Sequence, residues 1–244
     1  MIYQTFAKLY DELMDPTMYD QWLDFVSQRQ SDKSANWLDL ACGSGRLAVK
    51  LIQQGYQVSG FDLSEEMLAL ADEHAQEANV TLPLIQGNML DLEELSQYDV
   101  ISCFADSLCY LPDEKALAQC LKQVYDHLQP GGKFLFDVIS PYQTDEVYPG
   151  YMYNYVDEQQ AFLWSSYATE IPHGVEHELT FFIKNSQNEQ FHKISEIHHE
   201  RTYELQVYLD LLQTVGFQKI VTSSDFGRGT IGEKSTRWFF ECLK

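Results

Sequence analysis

Strand-length apolar runs alternate with helical patterns along most of this chain, and this alternation restricts its fold more than any other feature. Residues 37–41 (WLDLA) predict a first strand, and a helical repeat of apolar residues begins at Leu47 after a glycine-rich turn. Further strand-length runs at residues 56–62 (YQVSGFD) and 98–104 (YDVISCF) are each followed by another helical pattern or loop. This order predicts an α/β fold with a doubly wound, mostly parallel, seven-stranded sheet that helices cover on both faces.

The pattern changes between residues 141 and 203. Long aromatic-rich segments replace the alternation there, and turns at residues 172–174 (PHG) and 185–190 (NSQNEQ) separate them. Such segments predict an antiparallel β-sheet inserted after the fifth strand. We therefore expect residues 1–140 and 204–244 to form the main domain and residues 141–203 to form an inserted β subdomain.

Acidic residues outnumber basic residues by 37 to 16, and the formal net charge at pH 7 is -21. Such a field repels nucleic-acid phosphates and anionic membranes, so neither is expected as a partner. No apolar run reaches the roughly 18 to 20 residues that cross a bilayer, and residues 1–14 lack the order of a secretory signal. We expect a cytoplasmic protein, and the sequence does not define its oligomeric state.

Cysteine and histidine positions do not form a metal-binding pattern. The five cysteines include no Cys-x-x-Cys pair, and the adjacent His198 and His199 would point to opposite faces of a strand. We therefore expect neither a metal site nor a disulfide framework.

A glycine turn, with Ser44 between Gly43 and Gly45, follows the first strand. Open α/β sheets bind their ligands beyond the carboxyl ends of strands, and glycines there let the backbone approach a ligand closely. By itself, the stretch GSGRLA also satisfies the G-x-G-x-x-A pattern of dinucleotide-binding proteins. The turn therefore predicts a ligand site without identifying the ligand.

Two aspartates narrow the choice of ligand. Asp39 lies within the first strand, close to the glycine turn. Two like charges 4 Å apart repel by about 4 kcal/mol at an effective dielectric of 20. A pyrophosphate is therefore disfavoured beside Asp39, and a cation is favoured. Asp62 closes the second strand, where a carboxylate is able to accept hydrogen bonds from both ribose hydroxyls. The alternative for Asp62 is a capping role for the helix that follows Ser64.

Four motifs occur in the order that is typical of one enzyme family. They are residues 39–45 (DLACGSG), 60–64 (GFDLS), 99–111 (DVISCFADSLCYL) and 128–138 (LQPGGKFLFDV). Together they resemble the class I S-adenosylmethionine-dependent methyltransferases, and residues 3–14 (YQTFAKLYDELM) resemble a small bacterial group of these enzymes that begins with Tyr-x-x-Phe-Ala-x-x-Tyr-Asp. The chain departs from the family pattern at Ala41, where a third glycine is usual, and at Asn88, where aspartate is frequent.

The resemblance implies S-adenosylmethionine as the cofactor, whose ammonium and sulfonium suit an acidic pocket. It puts the glycine turn at the methionine end of the cofactor, Asp62 at the ribose and Asn88 at the adenine. The cofactor-binding residues that it implies are Tyr10, Asp39, Gly43, Ser44, Gly45, Asp62, Met67, Asn88, Met89, Phe104, Ala105 and Asp106. Tyr10 would close over the methionine end, and residues 104–106 would line the entrance for the acceptor; packing roles for Tyr10 and Phe104 are the alternatives.

Methyl transfer from a sulfonium depends mainly on holding the acceptor in line, since alignment supplies roughly 7 to 11 kcal/mol. A general base typically adds about 3 to 5 kcal/mol. Our candidate catalytic residues are His199 and Arg201, which share one face of the last inserted strand, with His198 on the other face. His199 would take a proton, and Arg201 would hold a carboxylate or phosphate of the acceptor. The alternative is that this face is solvated.

Part of the aromatic content of the insertion would form its own core, and the remainder would form a lid that shelters the acceptor from water. A sheet added after the fifth strand is similar to the arrangement in methyltransferases that act on small molecules, so this resemblance implies a small-molecule methyl acceptor rather than protein or RNA. Two other functions stay open at this point. One is a non-catalytic S-adenosylmethionine-binding module, and the other is a nicotinamide-dependent oxidoreductase, which would share the glycine turn but would not explain Asp39.

Overall fold

The computed structural model describes residue 11, residues 15–185 and residues 190–244. The strands of this part of the chain are β1 (Asn36–Leu40), β2 (Gln57–Asp62), β3 (Leu84–Gln86), β4 (Tyr98–Cys103), β5 (Leu128–Ile139), β6 (Met152–Val156), β7 (Gln160–Ala168), β8 (Gly174–Lys184), β9 (Phe191–Arg201), β10 (Lys219–Ser223) and β11 (Arg237–Leu243). The α-helices are α1 (Pro16–Ser27), α2 (Arg46–Gln53), α3 (Glu65–Glu77), α4 (Glu114–His127) and α5 (Leu205–Val215).

Seven strands form one sheet in the order β3-β2-β1-β4-β5-β11-β10. Neighbouring strands from β3 to β5 are parallel, whereas β11 runs antiparallel to both β5 and β10. The strand order reverses at β1, which pairs with β2 on one side and with β4 on the other. The predicted doubly wound, mostly parallel sheet is confirmed, and its switch point lies between β1 and β4.

Helices cover both faces of this sheet. On one face, Trp22 of α1 and Leu51 of α2 are buried against the sheet together with α3. On the other face, Leu121 of α4 and Tyr208 of α5 are buried against Phe136. The main core therefore has two layers, one on each side of the sheet.

Local sequence signals explain where most helices begin. Asp15, Ser64 and Asp113 each accept a backbone N–H bond from a residue two or three positions further on, and so cap α1, α3 and α4. Strand β5 starts at Leu128, directly after α4, and it includes the Pro-Gly-Gly stretch at residues 130–132. None of the described helices is long and apolar enough to span a membrane.

A second sheet is inserted between β5 and α5. Its four strands follow one another in the antiparallel order β6-β7-β8-β9. Phe162, Leu179 and Phe181 form a small core on one of its faces. The predicted antiparallel insertion after the fifth strand is confirmed.

Candidate active site

A cleft of about 1040 Å³ lies beyond the carboxyl ends of β1, β2 and β4. It brings together most of the residues that were expected to bind the cofactor. These are Asp39, Gly43, Ser44, Asp62, Met67, Asn88, Met89, Phe104 and Ala105. Gly45 and Asp106 do not line this cleft, and Tyr10 lies outside the described residues.

The glycine turn between β1 and α2 brings the backbone to the edge of the cleft. Gly43 and Gly45 both have a left-handed backbone, with φ angles of 53° and 70°. A Cβ atom at Gly45 would lie 2.7 Å from the Cβ atom of Ala71, so the close packing of α3 requires glycine here. Helix α2 starts at this turn without a side-chain cap, and its positive N-terminal end is therefore available to a polar ligand.

Asp62, at the end of β2, holds the glycine turn in place. Its Oδ2 atom accepts a hydrogen bond from the backbone N–H of Gly43 at 2.8 Å, and its Oδ1 atom accepts one from Ser64 at 2.9 Å. Ser64 is the residue that caps α3, because its hydroxyl accepts the N–H of Met67. Each oxygen of Asp62 keeps a second lone pair, which leaves the carboxylate able to accept two further bonds from a ligand.

Asp39 is a buried carboxyl group on the floor of the cleft. The Ser102 hydroxyl donates a hydrogen bond to it at 2.7 Å and in turn accepts one from the Trp37 indole at 2.9 Å. Burial, together with the charge of Asp62, raises the pKa of Asp39 to about 7, although the hydrogen bond from Ser102 lowers this pKa in part. Because a nearby cation would favour the ionised carboxylate, the site is suited to a positively charged group.

The donor set of the cleft fits S-adenosylmethionine better than a dinucleotide. The described lining contains the carboxylates of Asp11, Asp39, Asp62, Glu65 and Glu66, and it contains no lysine or arginine. A pyrophosphate would therefore meet only negative side-chain charge, whereas an ammonium and a sulfonium would be attracted.

Asn88, which stands where the family pattern often has aspartate, lies in the loop after β3. The Oδ1 atom of Asn88 accepts the backbone N–H of Leu90 at 3.0 Å, which shapes the loop after β3. A Cβ atom at the neighbouring Gly87 would lie 2.5 Å from the Phe61 ring, so glycine keeps this loop close to β2. The Asn88 amide is thus part of a packed turn, with one lone pair of its oxygen left for a ligand.

The loop after β4 is held by a buried charge network that corrects the expectation for Asp106. Ala105 and Asp106 have left-handed backbones, with φ angles of 55° and 54°. The Asp106 carboxylate pairs with Arg237 of β11 at 2.8 Å, so it is turned away from the cofactor cleft. The buried Asp137 of β5 accepts hydrogen bonds from the backbone N–H of Asp106 at 2.9 Å and from the Trp22 indole at 2.7 Å. It also forms an ion pair with the Arg237 guanidinium, at 3.0 Å. Strand β5, helix α1 and strand β11 thus hold the loop after β4 in place through these contacts.

Phe104 is a packed core residue that also reaches the cofactor cleft. Its side chain is buried, and its ring packs against Trp22 and Phe25 at centroid distances of 6.2 and 5.9 Å. Its backbone carbonyl accepts the Ser107 hydroxyl at 2.8 Å, and the residue also lines the cleft.

Asp11, which the sequence analysis did not single out, ties the segment before α1 to the glycine turn. Its buried carboxylate accepts hydrogen bonds from the Ser44 hydroxyl and from Nε of Arg46, and it lies 3.4 Å from Nε2 of His74. Tyr19 of α1 also lines the cleft. The pattern at residues 3–11 ends with Asp11, but it did not indicate these contacts, because each contact joins residues that are far apart in sequence.

Comparisons with known proteins identify the family. Residues 38–132 match the family model of a methyltransferase domain. A putative methyltransferase of Geobacillus sp. (strain WCH70) is 38% identical over 250 residues, and the match covers 100% of both chains. A putative methyltransferase of Bacillus subtilis (strain 168) is 35% identical over 248 residues, and the match covers 100% of this chain and 98% of that protein. The crystal structure of an S-adenosylmethionine-dependent methyltransferase from Clostridium acetobutylicum ATCC 824 is 26% identical, covers 100% of this chain and 99% of its own, and superimposes with a TM-score of 0.85. This chain belongs to the S-adenosylmethionine-dependent methyltransferases.

The methyltransferase has a second cavity, of about 460 Å³, next to the cofactor cleft. Trp22, Ala105, Tyr110 and His198 line both spaces. The inserted sheet forms the opposite wall of the second cavity with Tyr153, Phe162, Trp164, His177, Leu179 and Glu200. The insertion therefore covers a space that opens onto the cofactor cleft.

His177 and Glu200 are the buried titratable groups of this wall. Nδ1 of His177 accepts the Trp164 indole N–H at 3.1 Å and bonds the Ser166 hydroxyl at 2.7 Å, so its proton is on Nε2. Burial lowers the pKa of His177 to about 4, whereas burial and the charge of Asp106 raise the pKa of Glu200 to about 8. Both groups are neutral at pH 7, and their separation of 3.9 Å is not an ion pair.

His199 and Arg201, the expected catalytic residues of the methyltransferase, lie outside both cavities. The His199 side chain is 69% exposed and lies 3.7 Å from Glu176. The Arg201 guanidinium lies 4.8 Å from the centre of the Tyr203 ring. The structure does not bring either residue to the cofactor residues.

The face of β9 that points into the second cavity carries His198 and Glu200 instead of His199 and Arg201. His198 and Glu200 line the second cavity, and the pairing of β9 with β8 sets His198 opposite His177. Side chains alternate along a strand, so a face that contains His198 and Glu200 excludes His199 and Arg201. The face expected from the sequence is corrected accordingly.

No metal centre appears among residues 15–185 and 190–244. No group of three His, Cys, Asp or Glu side chains in the described part of the chain is placed to hold a metal ion, and the five cysteines are free thiols.

Proposed function

We propose that this methyltransferase transfers the methyl group of S-adenosylmethionine to a small molecule bound in the second cavity. The position of that cavity carries the proposal. Because Trp22, Ala105, Tyr110 and His198 line both spaces, a ligand in the second cavity lies next to a ligand in the cofactor cleft. A volume of about 460 Å³ suits a compact metabolite, and the net charge of -21 disfavours RNA.

On the cofactor side, Asp39 and the turn at residues 43–45 would hold the methionine end. Asp62 would hold the ribose, since each of its oxygens has one lone pair left for one of the two hydroxyls. Asn88 and Met89 would face the adenine, with Met67 as one wall of the cleft. Bound in this way, the cofactor supplies a methyl group that its sulfonium has already activated.

The remaining work of the protein is to align the acceptor and to exclude water. The loop at Ala105 and Asp106 forms a fixed wall between the two spaces, because Asp137 and Arg237 hold its backbone and its carboxylate. Alignment of this kind contributes roughly 7 to 11 kcal/mol to a displacement reaction. In this proposal, residues 1–140 and 204–244 form the cofactor-binding domain, and residues 141–203 cover the acceptor.

Transfer of a labelled methyl group tests the proposal. The protein is incubated with methyl-labelled S-adenosylmethionine and a cell extract, and ultrafiltration then separates metabolites from macromolecules. We expect the label in the metabolite fraction, and we expect Asp62→Ala to abolish most of it. Label found only in protein or RNA would overturn the proposal.

A further inference from the structure

The charged groups around the second cavity give it a negative character. Arg237 is the only lysine or arginine among the described residues that line it, and it lies 2.8 Å from Asp106 and 3.0 Å from Asp137. His177 adds no positive charge, because burial lowers its pKa to about 4. Nε2 of His198 lies 3.2 Å from a carboxylate oxygen of Glu196, which compensates any charge on that ring. An anionic acceptor would therefore find no uncompensated cation in this lining.

Glu200 has a carboxyl oxygen that is free to accept a hydrogen bond from a ligand. The side chain is buried, and its Oε2 atom has no hydrogen-bond partner among the described residues. Its Oε1 atom lies 3.9 Å from Nε2 of His177, which is too far for a hydrogen bond. The nearby Tyr110 hydroxyl partly offsets the rise in the pKa of this carboxyl group, and Oε2 stays unpaired among the described residues. A ligand that donates a hydrogen bond to Oε2 would remove the cost of burying this atom unpaired.

Aromatic rings make up much of the remaining wall. The Trp164 ring is 5.4 Å from the Tyr151 ring and 6.3 Å from the Tyr148 ring, measured between centroids, and all three residues line the cavity. The faces of such rings carry partial negative charge and attract cations. The rings and the carboxyl group thus favour the same kind of ligand.

We propose that the methyl acceptor is an amine whose nitrogen binds between Glu200 and this aromatic wall. The inference rests on the proposed function, because it names the acceptor class of the same cavity. Glu200 would be the residue that pairs with the ammonium form and takes its proton.

The proposed step balances in atoms and charge. The positive charge of a bound ammonium group favours the ionised form of Glu200, so this carboxyl group, which is protonated at pH 7 without a cation beside it, first releases its proton to solvent. The ammonium group of the acceptor then transfers one proton to the Glu200 carboxylate, which leaves a neutral amine with a free lone pair. The nitrogen forms the new N–CH3 bond, the S–CH3 bond breaks, and sulfur keeps the bonding electron pair. The products are an N-methylammonium group, a neutral thioether and protonated Glu200. A pKa of about 8 brings Glu200 closer to an alkylamine than an ordinary glutamate is, which eases the proton transfer.

Three ring compounds of similar size test this inference. Cyclohexylamine, cyclohexanol and cyclohexanecarboxylate are titrated by calorimetry into protein saturated with S-adenosylhomocysteine, the demethylated form of the cofactor. We expect the amine to bind roughly tenfold or more tightly than the alcohol, and the carboxylate to bind most weakly. Binding of all three compounds with one affinity, or of none of them, would contradict the inference.

Variants of Glu200 sharpen the test. Glu200→Gln should weaken cyclohexylamine binding roughly tenfold or more and leave cyclohexanol within about twofold, whereas Glu200→Asp should restore part of the amine affinity. Glu178→Gln is the matched control, because Glu178 is exposed on the outer face of β8. Thermal unfolding checks that each variant is folded. Unchanged amine affinity in a folded Glu200→Gln protein would overturn the inference.

The labelled-methyl experiment separates this inference from the function on which it rests. If the acceptor is an amine, the labelled metabolite carries a positive charge and is retained on a cation exchanger at neutral pH. A labelled metabolite that is not retained would contradict the amine and leave the small-molecule transfer intact. Label in macromolecules alone would remove the proposed function itself.

Discussion

The two sides of the active site differ in how their buried polar groups are paired. On the cofactor side, Asp39 accepts a bond from Ser102, and Asp62 accepts bonds from two backbone N–H groups. On the acceptor side, Nε2 of His177 and Oε2 of Glu200 have no partner among the described residues. Each unpaired buried group costs about 1 to 3 kcal/mol, which a bound ligand is able to offset. In the proposed function, the sheet offers a cofactor site whose polar groups are already paired, whereas the insertion offers two groups that a bound ligand would pair.

The largest expected effect concerns Arg237, which fixes the wall between the two sides. Arg237→Ala would leave Asp106 and Asp137 without their cation, so we expect the free energy of unfolding in urea to fall by about 3 to 5 kcal/mol. Arg228→Ala is the control, because it breaks an exposed pair with Asp225 and should cost about 0 to 1 kcal/mol. Equal losses in the two variants would show that the wall does not depend on this network.

Asp62 tests whether the cofactor side is preorganised. Asp62→Ala removes a charged acceptor that also holds the glycine turn, so binding of S-adenosylhomocysteine should weaken by about 1.5 to 3 kcal/mol in calorimetry. Asp72→Ala serves as the control, since Asp72 is exposed on α3. A folded Asp62→Ala protein with wild-type affinity would mean that the carboxylate only shapes the turn.

Asp39 should make cofactor binding depend on pH. With its pKa raised to about 7, this carboxyl group takes up a proton as the pH falls below 7, and it then no longer attracts a cation. Affinity for S-adenosylmethionine should therefore rise between about pH 6 and pH 8, by at most about 1.4 kcal/mol per pH unit. The Asp39→Asn variant should bind more weakly and lose this dependence, and a flat wild-type profile would argue against the assignment.

The smallest effect is expected on the outer face of β9. His199→Ala should change cofactor affinity and methyl transfer by less than about 0.5 kcal/mol, because its side chain is exposed and outside both cavities. His198→Ala is the inward comparison, and it should slow transfer into the metabolite fraction roughly tenfold, because His198 lines both cavities. A stronger effect at His199 than at His198 would reverse the assignment of faces.

The cofactor side was largely predictable from the sequence because its residues belong to local motifs. The turn at residues 43–45 and Asp62 each follow directly from a strand, and a parallel sheet brings the carboxyl ends of its strands together. Asn88 was placed by the same rule, at the end of the short β3. Position along the chain was therefore enough to place these residues in one cleft.

The acceptor side was not predictable in the same way. Both faces of β9 carry charged and polar residues, so alternation alone could not show that His198 and Glu200 turn inward. Docking of the inserted sheet against the loop after β4 decides the face, and that contact has no local signature. The sequence did contain a signal for the buried network of Asp106, Asp137 and Arg237. Asp137 and Arg237 interrupt strongly apolar strands, and a charged residue in such a strand usually has a buried partner.

The pairing of Asp106 with Arg237 also determines how much of the chain must be synthesised before the loop after β4 is held in place. The two residues are 131 positions apart, and Arg237 belongs to β11, the last strand of the sheet to leave the ribosome. This contact closes a long segment, which costs more entropy than a local contact does, and Arg237 is not available until β11 has been synthesised. Until β11 inserts between β5 and β10, Asp106 and Asp137 have no cation beside them and the loop after β4 is not clamped. A nascent chain that already contains every cofactor motif therefore still lacks a finished site, and release of the last strand is the step that completes it.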